Sequence, residues 1–253
     1  MQSNRTNLKS TETDLRALLL EDVRFCVIDT ETTGLDHQED RVIEIAYVLT
    51  SLRDGVISYG SQLVNPHRSI PPGATAIHGI GDADVAEAVD LEEALGQIRT
   101  YPFDVWGAHN ASFDFGFVPA GDIPVTCTLR LARRIWPELR DHKNQSLRAH
   151  WNLEVPEAEG LPAHRAGPDA LVAAALLRLE LKTVMELFPR IVTLGDFLDW
   201  ISTPYLLPIC IVGKQYRGRP WSEVPKSYMT WVLENFRDLD PDLLRTIQHH
   251  LAS

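Results

Sequence analysis

The chain has 253 residues and a hydrophobic content of 44%, which is enough for one ordinary domain with a core and a small appendage. Its formal net charge of −11 excludes a protein that holds long duplexes by non-specific electrostatics, because such binding needs many Lys and Arg contacts to phosphate. Any phosphate-binding surface must therefore be local. A carboxylate cluster that binds divalent cations can supply one.

Neither membrane insertion nor secretion is indicated. The longest apolar run, 170–177, is far too short to cross a bilayer, and the segment 1–11 is polar and has no hydrophobic signal core. The three cysteines are scattered and odd in number, which suggests neither a disulfide framework nor a zinc cluster. We therefore expect a protein of the reducing cytoplasm with no membrane partner.

In chain order, the first predicted elements are a short helix and three strands. The helix covers 14–20, and the continuous apolar run 24–29 that follows is typical of a strand buried on both faces. Segments 41–50 and 56–64 are predicted as further strands. The Asp-Gly turn signal at 54–55 separates them, so this pair is a predicted hairpin.

Helices and strands alternate after the hairpin. Asn110 is expected to cap the helix that follows it. The pattern predicts short strands over 104–106 and 123–126, and helices over 91–98, 111–118, 129–136, 145–151 and 168–181. A meander of strands followed by this alternation describes an α/β fold with a mixed sheet covered by helices.

The composition changes near residue 193, where prolines and glycines crowd a short stretch before two closing helices, 226–236 and 241–251. Asp240 followed by Pro241 is a good cap and first-turn pair. We predict three parts from this change. They are an N-terminal extension with a short helix, 1–23, a main domain, 24–183, and a small C-terminal α+β module, 195–253.

Two carboxylates lie where the most hydrophobic strand ends. Asp29 and Glu31 are two residues apart, so on a strand their side chains share a face. Two like charges at so short a distance repel each other unless a cation lies between them. Binding of a hard cation through oxygen ligands resolves the conflict. Taken alone, an Asp-x-Glu that merely starts a turn is the alternative.

Two further segments place aspartates near predicted helix N-termini. Asp114 lies one turn into the helix after Asn110, and Asp169 lies in the first turn of the helix that Pro168 opens. The helix macrodipole alone also favours an aspartate in such a position. His164, on the preceding loop, offers an imidazole, which is the natural general base near neutral pH. A surface histidine is the simpler alternative.

The three segments together are more specific than any one of them, since they occur in order and each lies at the end of an apolar element. Over residues 24–183 the chain resembles the DEDD superfamily of 3′→5′ exonucleases, in the branch whose third motif is His-x4-Asp. The resemblance implies a ribonuclease H-like fold. Its mixed five-stranded sheet would carry helices on both faces.

The resemblance also implies a catalytic set and two divalent metal ions, Mg²⁺ or Mn²⁺. Asp29, Glu31 and Asp169 would ligate one ion directly, with Asp29 bridging to the second, and Asp114 would act largely through bound water. The ions, roughly 4 Å apart, would stabilise the attacking and leaving oxygens of an in-line displacement. His164 would deprotonate the water, and a nucleoside 5′-monophosphate would be released.

The terminal nucleotide is expected beside the loop that follows Glu31. Gly34 permits the tight turn there, and the Thr32 amide is placed to donate to the terminal 3′-hydroxyl. Leu35 either presses against the last base or folds back onto the core, and His78 either contacts substrate or is a buried structural histidine. The predicted substrate-binding residues are Thr32, Thr33, Gly34, Leu35, Ile77, His78, Asn110 and Phe113.

A loop near the C-terminus, 213–219, is locally basic and aromatic in an acidic protein, and Trp221 follows it. Such a loop can contact phosphate while stacking a base. The alternative is an ordinary basic turn that packs Trp221 and Trp231 into a small core. The candidate nucleic-acid contacts are Lys214, Tyr216, Arg217 and Arg219.

With this loop included, nearly the whole chain resembles bacterial exodeoxyribonucleases. The resemblance favours DNA over RNA, single-stranded and double-stranded, and a role in DNA repair or replication with a DNA polymerase or repair protein as a candidate partner. An RNA-trimming ribonuclease and a polymerase proofreading subunit are alternatives, and a non-catalytic nucleic-acid adaptor is an alternative of a different class. The sequence leaves open strand preference, processivity and oligomeric state.

Overall fold

A five-stranded mixed sheet lies at the centre of the structure, a computed structural model that describes residues 12–139, 141–160, 165–236 and 239–252. The strand order is β3-β2-β1-β4-β5. Antiparallel pairing joins β1 to β2 and β2 to β3, while β4 pairs in parallel with both β1 and β5. The strands are β1 (Phe25–Thr32), β2 (Val42–Ser51), β3 (Gly55–Leu63), β4 (Val105–Ala108) and β5 (Val125–Cys127). The predicted mixed sheet and its hairpin are confirmed.

Helices surround this sheet. In chain order they are α1 (Glu12–Arg16), α2 (Pro72–His78), α3 (Asp82–Val85), α4 (Leu91–Ile98), α5 (Ala111–Phe117), α6 (Thr128–Ile135), α7 (Asn144–His150), α8 (Ala166–Leu187), α9 (Leu194–Ser202), α10 (Lys226–Asn235) and α11 (Pro241–Ala252). Within the described part of the chain, none of them combines the length and apolar character needed to cross a membrane.

The central strand β1 separates two apolar cores. Phe25 and Val27 belong to the core that α8 covers, and Cys26 and Ile28 belong to the core that α4 and α5 cover. Since successive side chains of a strand point to opposite faces, an unbroken apolar run is what a doubly covered strand requires. The prediction for 24–29 is therefore confirmed.

Several helices differ from their predicted limits. The helix predicted over 14–20 is only α1, followed by one 3-10 turn at Leu20–Asp22. Helix α8 continues to Leu187, well beyond residue 181. Helix α9 was not predicted, although Thr193 and Asp196 form a capping box, in which the Thr193 hydroxyl accepts from the Asp196 amide at 3.2 Å.

A separate small core, built around Trp221, Val232 and Ile247, lies near the C-terminus. Its β structure among the described residues is a single bridge between Ile209 and Pro220, so the β part of the predicted α+β module is limited to that bridge. Three side chains of α9 pack instead in the core beneath α8: Leu194, Phe197 and Ile201. The division at residue 195 stays a prediction.

A buried ion cluster joins α11 to α6. Asp242, 1% exposed, accepts from Arg134 at 2.7 and 2.8 Å and from Arg130 at 2.9 and 3.1 Å. Burial opposes the charge, but the hydrogen bonds from both arginines lower the pKa of Asp242 to about 2. Because an unpaired buried charge costs several kcal/mol, this cluster fixes the C-terminal core against the main domain.

Candidate active site

Three carboxylates converge where β1 meets the first turn of α8. Asp29 follows Val27 on the face of β1 that α8 covers, and Glu31 is on that same face because the side chains alternate. Asp169 comes from the N-terminal turn of α8. One oxygen of each carboxylate lies within 4.8 Å of the other two. The sequence prediction that these residues meet is therefore correct for this trio.

The electrostatics of the trio favour a bound cation. Burial raises the pKa of Asp29 well above its usual range, and the charges of Asp114 and Asp169 raise it further. Burial, then Glu44 and Asp169, raise the pKa of Glu31 to about 7. Asp29 and Glu31 are therefore costly to ionise without a cation nearby, and a cation bound among the oxygens removes that cost. The donors are all oxygens, which suits a hard divalent ion such as Mg²⁺ or Mn²⁺.

Asp114 lies beside the trio but is not part of it. Thr30 points to the opposite face of β1 from Asp29, toward α5, and its hydroxyl donates to Asp114 Oδ1 at 2.8 Å. Burial raises the pKa of Asp114 to about 7 despite this hydrogen bond. Asp114 is still close enough to raise the pKa of Asp29. Its direct ligation of a metal stays a prediction.

His164, the predicted general base, lies outside the described residues. The next residue, Arg165, makes a bidentate ion pair with Glu44 on β2, with N–O distances of 2.7 and 2.8 Å. Glu44 also accepts from the Ala166 amide at 3.1 Å. The sequence reasoning missed Glu44, although a glutamate inside the apolar run of β2 was a signal. Glu44 is paired with Glu31 across the two strands.

Helix α7 supports Asp169, and the sequence reasoning also missed this support. Gln145 Nε2 donates to Asp169 Oδ1 at 2.6 Å, and Asn144 Nδ2 donates to the Asp169 carbonyl at 2.9 Å. Both contacts come from the first turn of a helix that was predicted without a role. The Gln145 contact orients the carboxylate, and the Asn144 contact holds the backbone that carries it.

The loop after Glu31 is built as a tight turn. Thr32 Oγ1 donates to the Gly34 carbonyl at 2.6 Å, and Thr33 Oγ1 donates to Asp40 Oδ1 at 2.9 Å. A Cβ at Gly34 would lie 2.3 Å from an Asp40 oxygen, so a larger residue there would have to displace the Asp40 carboxylate that Thr33 contacts. Leu35 is 82% exposed. The alternative in which Leu35 folds back onto the core is therefore wrong.

An open depression of roughly 500 Å³ lies beside this loop. Leu35, Asn110 and Phe113, all predicted to bind substrate, line it together with Ser112 and His37. His37 was missed by the sequence reasoning. Its ring packs edge-on against Phe117 with the centroids 4.7 Å apart, and it covers Gly116, where a Cβ would lie 2.3 Å from the ring.

The predicted capping role of Asn110 is wrong. Its backbone is left-handed, with a φ of 67°, and its side chain makes no capping hydrogen bond. An N-cap residue normally has extended backbone, which lets the side chain reach the free amides of the first turn. Asparagine is among the few residues that tolerate the left-handed region. Asn110 therefore serves the entry into α5 through its backbone.

Ile77 and His78 end helix α2. Ile77 is exposed, whereas His78 is buried and its Nδ1 accepts from the Ile80 amide at 3.1 Å. Burial lowers the pKa of His78. The structure thus shows the buried alternative for His78. Contact of either residue with substrate stays a prediction.

Some residues of the basic loop 213–219 pack against neighbouring side chains, and others are exposed. Tyr216 packs on Tyr228 with the ring centroids 4.7 Å apart, and the Arg219 guanidinium lies 5.9 Å from the Tyr216 ring. Lys214 and Arg217 are exposed, like Arg219. Trp221 is buried in the small core, as the packing alternative expected, but Trp231 is 44% exposed.

The profile of the exonuclease family matches residues 26–177, which is more than half of the chain and includes Asp29, Glu31, Asp114 and Asp169. The chain therefore belongs to the exonuclease family. Exodeoxyribonuclease 10 of Escherichia coli strain K12 is 35% identical to it over 231 residues, which are 90% of this chain and 98% of that protein.

Solved structures agree with this assignment. A structure of exonuclease X in complex with 5′-overhanging duplex DNA is 38% identical, with a TM-score of 0.57, and the match covers 63% of this chain and 92% of that one. E. coli exonuclease I in complex with a dT13 oligonucleotide has a TM-score of 0.56 over 67% of this chain and 43% of that one. At 18% identity it shows the fold alone. The predicted exonuclease fold and enzyme class, a hydrolytic 3′→5′ exonuclease, are confirmed.

Proposed function

We propose that this chain is a metal-dependent exonuclease that removes nucleotides one at a time from the 3′ end of DNA and releases nucleoside 5′-monophosphates, in DNA repair or replication. The observation that carries the proposal is the convergence of Asp29, Glu31 and Asp169, with oxygens within 4.8 Å of one another. DNA is favoured because exodeoxyribonuclease 10 is matched over 98% of its length and exonuclease X was solved with DNA.

The acidic residues would hold the cofactor. Asp29, Glu31 and Asp169 would ligate a divalent cation, Mg²⁺ or Mn²⁺, and Asp114 would act on a second through water. When bound, the ions would stabilise the charge on the attacking and leaving oxygens of the phosphodiester. Gln145 keeps Asp169 oriented and Thr30 does the same for Asp114, so the ligand positions are set before substrate arrives.

Other residues of the chain would place the substrate and move the proton. His164 would take the proton of the attacking water, since an ordinary imidazole is mostly unprotonated at neutral pH and can accept a proton. The terminal nucleotide would occupy the depression lined by Leu35 and Phe113. Leu35, exposed on the rim, would press against the last base or base pair, while the backbone amide of Thr32 donates to the 3′-hydroxyl.

The test is digestion of matched 3′-labelled DNA and RNA, each single-stranded and double-stranded, with Mg²⁺ or with EDTA. We expect mononucleotides from DNA with Mg²⁺ and no products in EDTA. Activity that survives EDTA, or degradation of RNA only, would contradict the proposal. The Leu35→Ala variant is compared on frayed and fully paired ends, and equal effects on both would exclude the role at the base pair.

A further inference from the structure

A cationic cleft lies between the main domain and the C-terminal core. Its cations come from three separate stretches: Arg133 from α6, Lys143 from the start of α7 and Arg217 from the basic loop. Its volume is roughly 390 Å³. Asp141 is its acidic member. Three cations around one carboxylate form a positive site in a chain whose net charge is −11.

The charges of the cleft are largely available for a ligand. Both Asp141 oxygens are occupied locally, since they accept from the Lys143 amide and the Ser146 hydroxyl at 2.9 Å each. Arg133 lies 3.6 Å from Asp240, a long ion pair, and its buried Nε has no hydrogen-bond partner among the described residues. Among the described residues, Lys143 and Arg217 form no close ion pair, although both lie near enough to Asp141 to lower its pKa.

The cleft adjoins the active site on two sides. Asn144, which lines the cleft, donates to the backbone carbonyl of Asp169. Asn110 lines both the cleft and the depression that contains Leu35 and Phe113. A strand whose 3′ end occupies that depression therefore meets the cleft directly beyond Asn110.

The C-terminal core is held firmly enough to form one wall. The buried Asp242 cluster ties it to Arg130 and Arg134 of α6, the same helix that carries Arg133. Arg217 Nε also donates to the Gly213 carbonyl at 3.0 Å, which holds the arginine in its loop. The C-terminal core thus supplies two residues of the lining, Ile211 and Arg217.

We propose that this cleft binds the backbone phosphates of the substrate strand, adjacent to the terminal nucleotide, through Arg133, Lys143 and Arg217. The inference rests on the proposed function and assigns the C-terminal core a part in it. Cations that contact phosphate position a strand without reading its bases. The site would therefore act on any sequence and would strengthen binding of strands longer than one nucleotide.

The experiment measures binding of a single-stranded DNA oligonucleotide to Lys143→Ala and Arg217→Ala over a range of salt, with Ca²⁺ in place of Mg²⁺ to limit hydrolysis. Each variant is expected to bind about three- to five-fold more weakly. Each should also reduce the slope of log affinity against log salt by about one. Matched controls are Lys182→Ala and Arg245→Ala, which remove exposed cations outside the cleft.

A second substrate separates this inference from the proposed function. A nitrophenyl ester of thymidine 5′-monophosphate has no phosphate beyond the scissile one, so Lys143→Ala and Arg217→Ala should hydrolyse it at the wild-type rate. A wild-type protein inactive on both ester and DNA would refute the proposed function. An active wild type whose two variants bind DNA like the controls would refute the cleft. If Arg217→Ala unfolds the loop that contains it, the result for Lys143→Ala is decisive, because the Lys143 side chain makes no hydrogen bond to a loop among the described residues.

Discussion

Glu44 and Arg165 form a bidentate ion pair that ties β2 to the start of α8. The same carboxylate accepts from the Ala166 amide, so it also holds the first turn of the helix that carries Asp169. Glu44 thereby determines where α8 begins relative to Glu31, its partner across the strands. The position of Asp169 in the trio depends on a contact between residues 121 positions apart.

Glu44→Gln should reduce hydrolysis of DNA without removing any proposed metal ligand. The glutamine side chain is neutral and has a single acceptor oxygen, so it cannot replace the carboxylate in both guanidinium hydrogen bonds. The start of α8 should therefore shift. A displacement of about 1 Å at a reacting group can cost about a hundred-fold in rate. Steady-state kinetics with Mg²⁺ measure the loss. Glu92→Gln, an exposed glutamate on α4, is the matched control. Equal kcat values in both variants would show that Glu44 does not position the site.

Asp29→Asn should lower the activity and raise the stability of the metal-free protein. The variant removes one of the mutually repelling carboxylates, so without metal it should unfold at a higher temperature than the wild type. Hydrolysis should fall by at least about a hundred-fold, because a metal ligand is worth several kcal/mol of transition-state stabilisation. Thermal unfolding with and without Mg²⁺ is the decisive measurement.

In that measurement, Mg²⁺ should raise the Tm of the wild type and have little effect on Asp29→Asn, since only a protein that binds the ion is stabilised by it. Asp122→Asn, an exposed aspartate, should respond like the wild type. An Mg²⁺ response in Asp29→Asn as large as that of the wild type would rule out Asp29 as a ligand.

His164→Ala should lose about 10² to 10⁴ in rate with little change in substrate binding, because general-base catalysis contributes on that scale. Single-turnover kinetics give the rate, and binding in Ca²⁺ gives the affinity. His67→Ala, an exposed histidine paired with Asp90, is a suitable control. Unchanged turnover would remove His164 from the mechanism.

Asp242→Asn should loosen the C-terminal core. The variant leaves the Arg130 and Arg134 charges without their buried partner, at a cost of about 3–5 kcal/mol. Denaturant unfolding measures the cost, and limited proteolysis between α9 and α10 should become faster. The cleft inference adds a second expectation, since the variant should show the weakened salt dependence of Arg217→Ala. Stability equal to that of the wild type would contradict the importance of the cluster.

Glu180 makes stability depend on pH. Its carboxylate is fully buried in α8, no described donor reaches either oxygen, and burial raises its pKa well above the usual range. A raised native pKa means that the folded state holds the proton more tightly. The stabilisation is complete below the unfolded pKa of about 4.3 and is lost as pH rises through the native value.

Glu180→Leu should therefore be more stable than the wild type near neutral pH, by about 1–3 kcal/mol. The difference should shrink toward acid pH, where the wild-type carboxyl is protonated in both states. Denaturant unfolding at about pH 4 and about pH 8 measures it. A difference that is the same at both pH values would show that ionisation of Glu180 is not the cause.

Local signals account for the parts of the fold and site that were predicted correctly. The apolar run before Asp29 predicted a doubly covered strand, and the two-residue spacing to Glu31 predicted a shared face. Asp240 was predicted to cap α11, and its Oδ1 accepts from the Asp242 amide at 2.9 Å. Each signal depends on residues only a few positions apart, where backbone geometry alone decides which side chains meet.

Reasoning from such local signals could not predict contacts between distant segments. Gly116 leaves room for the His37 ring, and this purpose follows only from packing. The pattern at Asn110 resembled a side-chain cap, and its backbone conformation overrides that expectation. The residue type limits the roles that a position can have, and contacts with distant segments decide which of these roles it takes.

By itself, the sequence determined the order of the five strands, the family and the residues that form the carboxylate trio, because these depend on local periodicity and on short ordered motifs. Only the tertiary structure decided that Glu44 holds Arg165, that α7 orients Asp169 and that Arg217 faces Arg133 and Lys143. Such pairs are set by the packing of whole elements against shared cores, and that packing depends on all the side chains together.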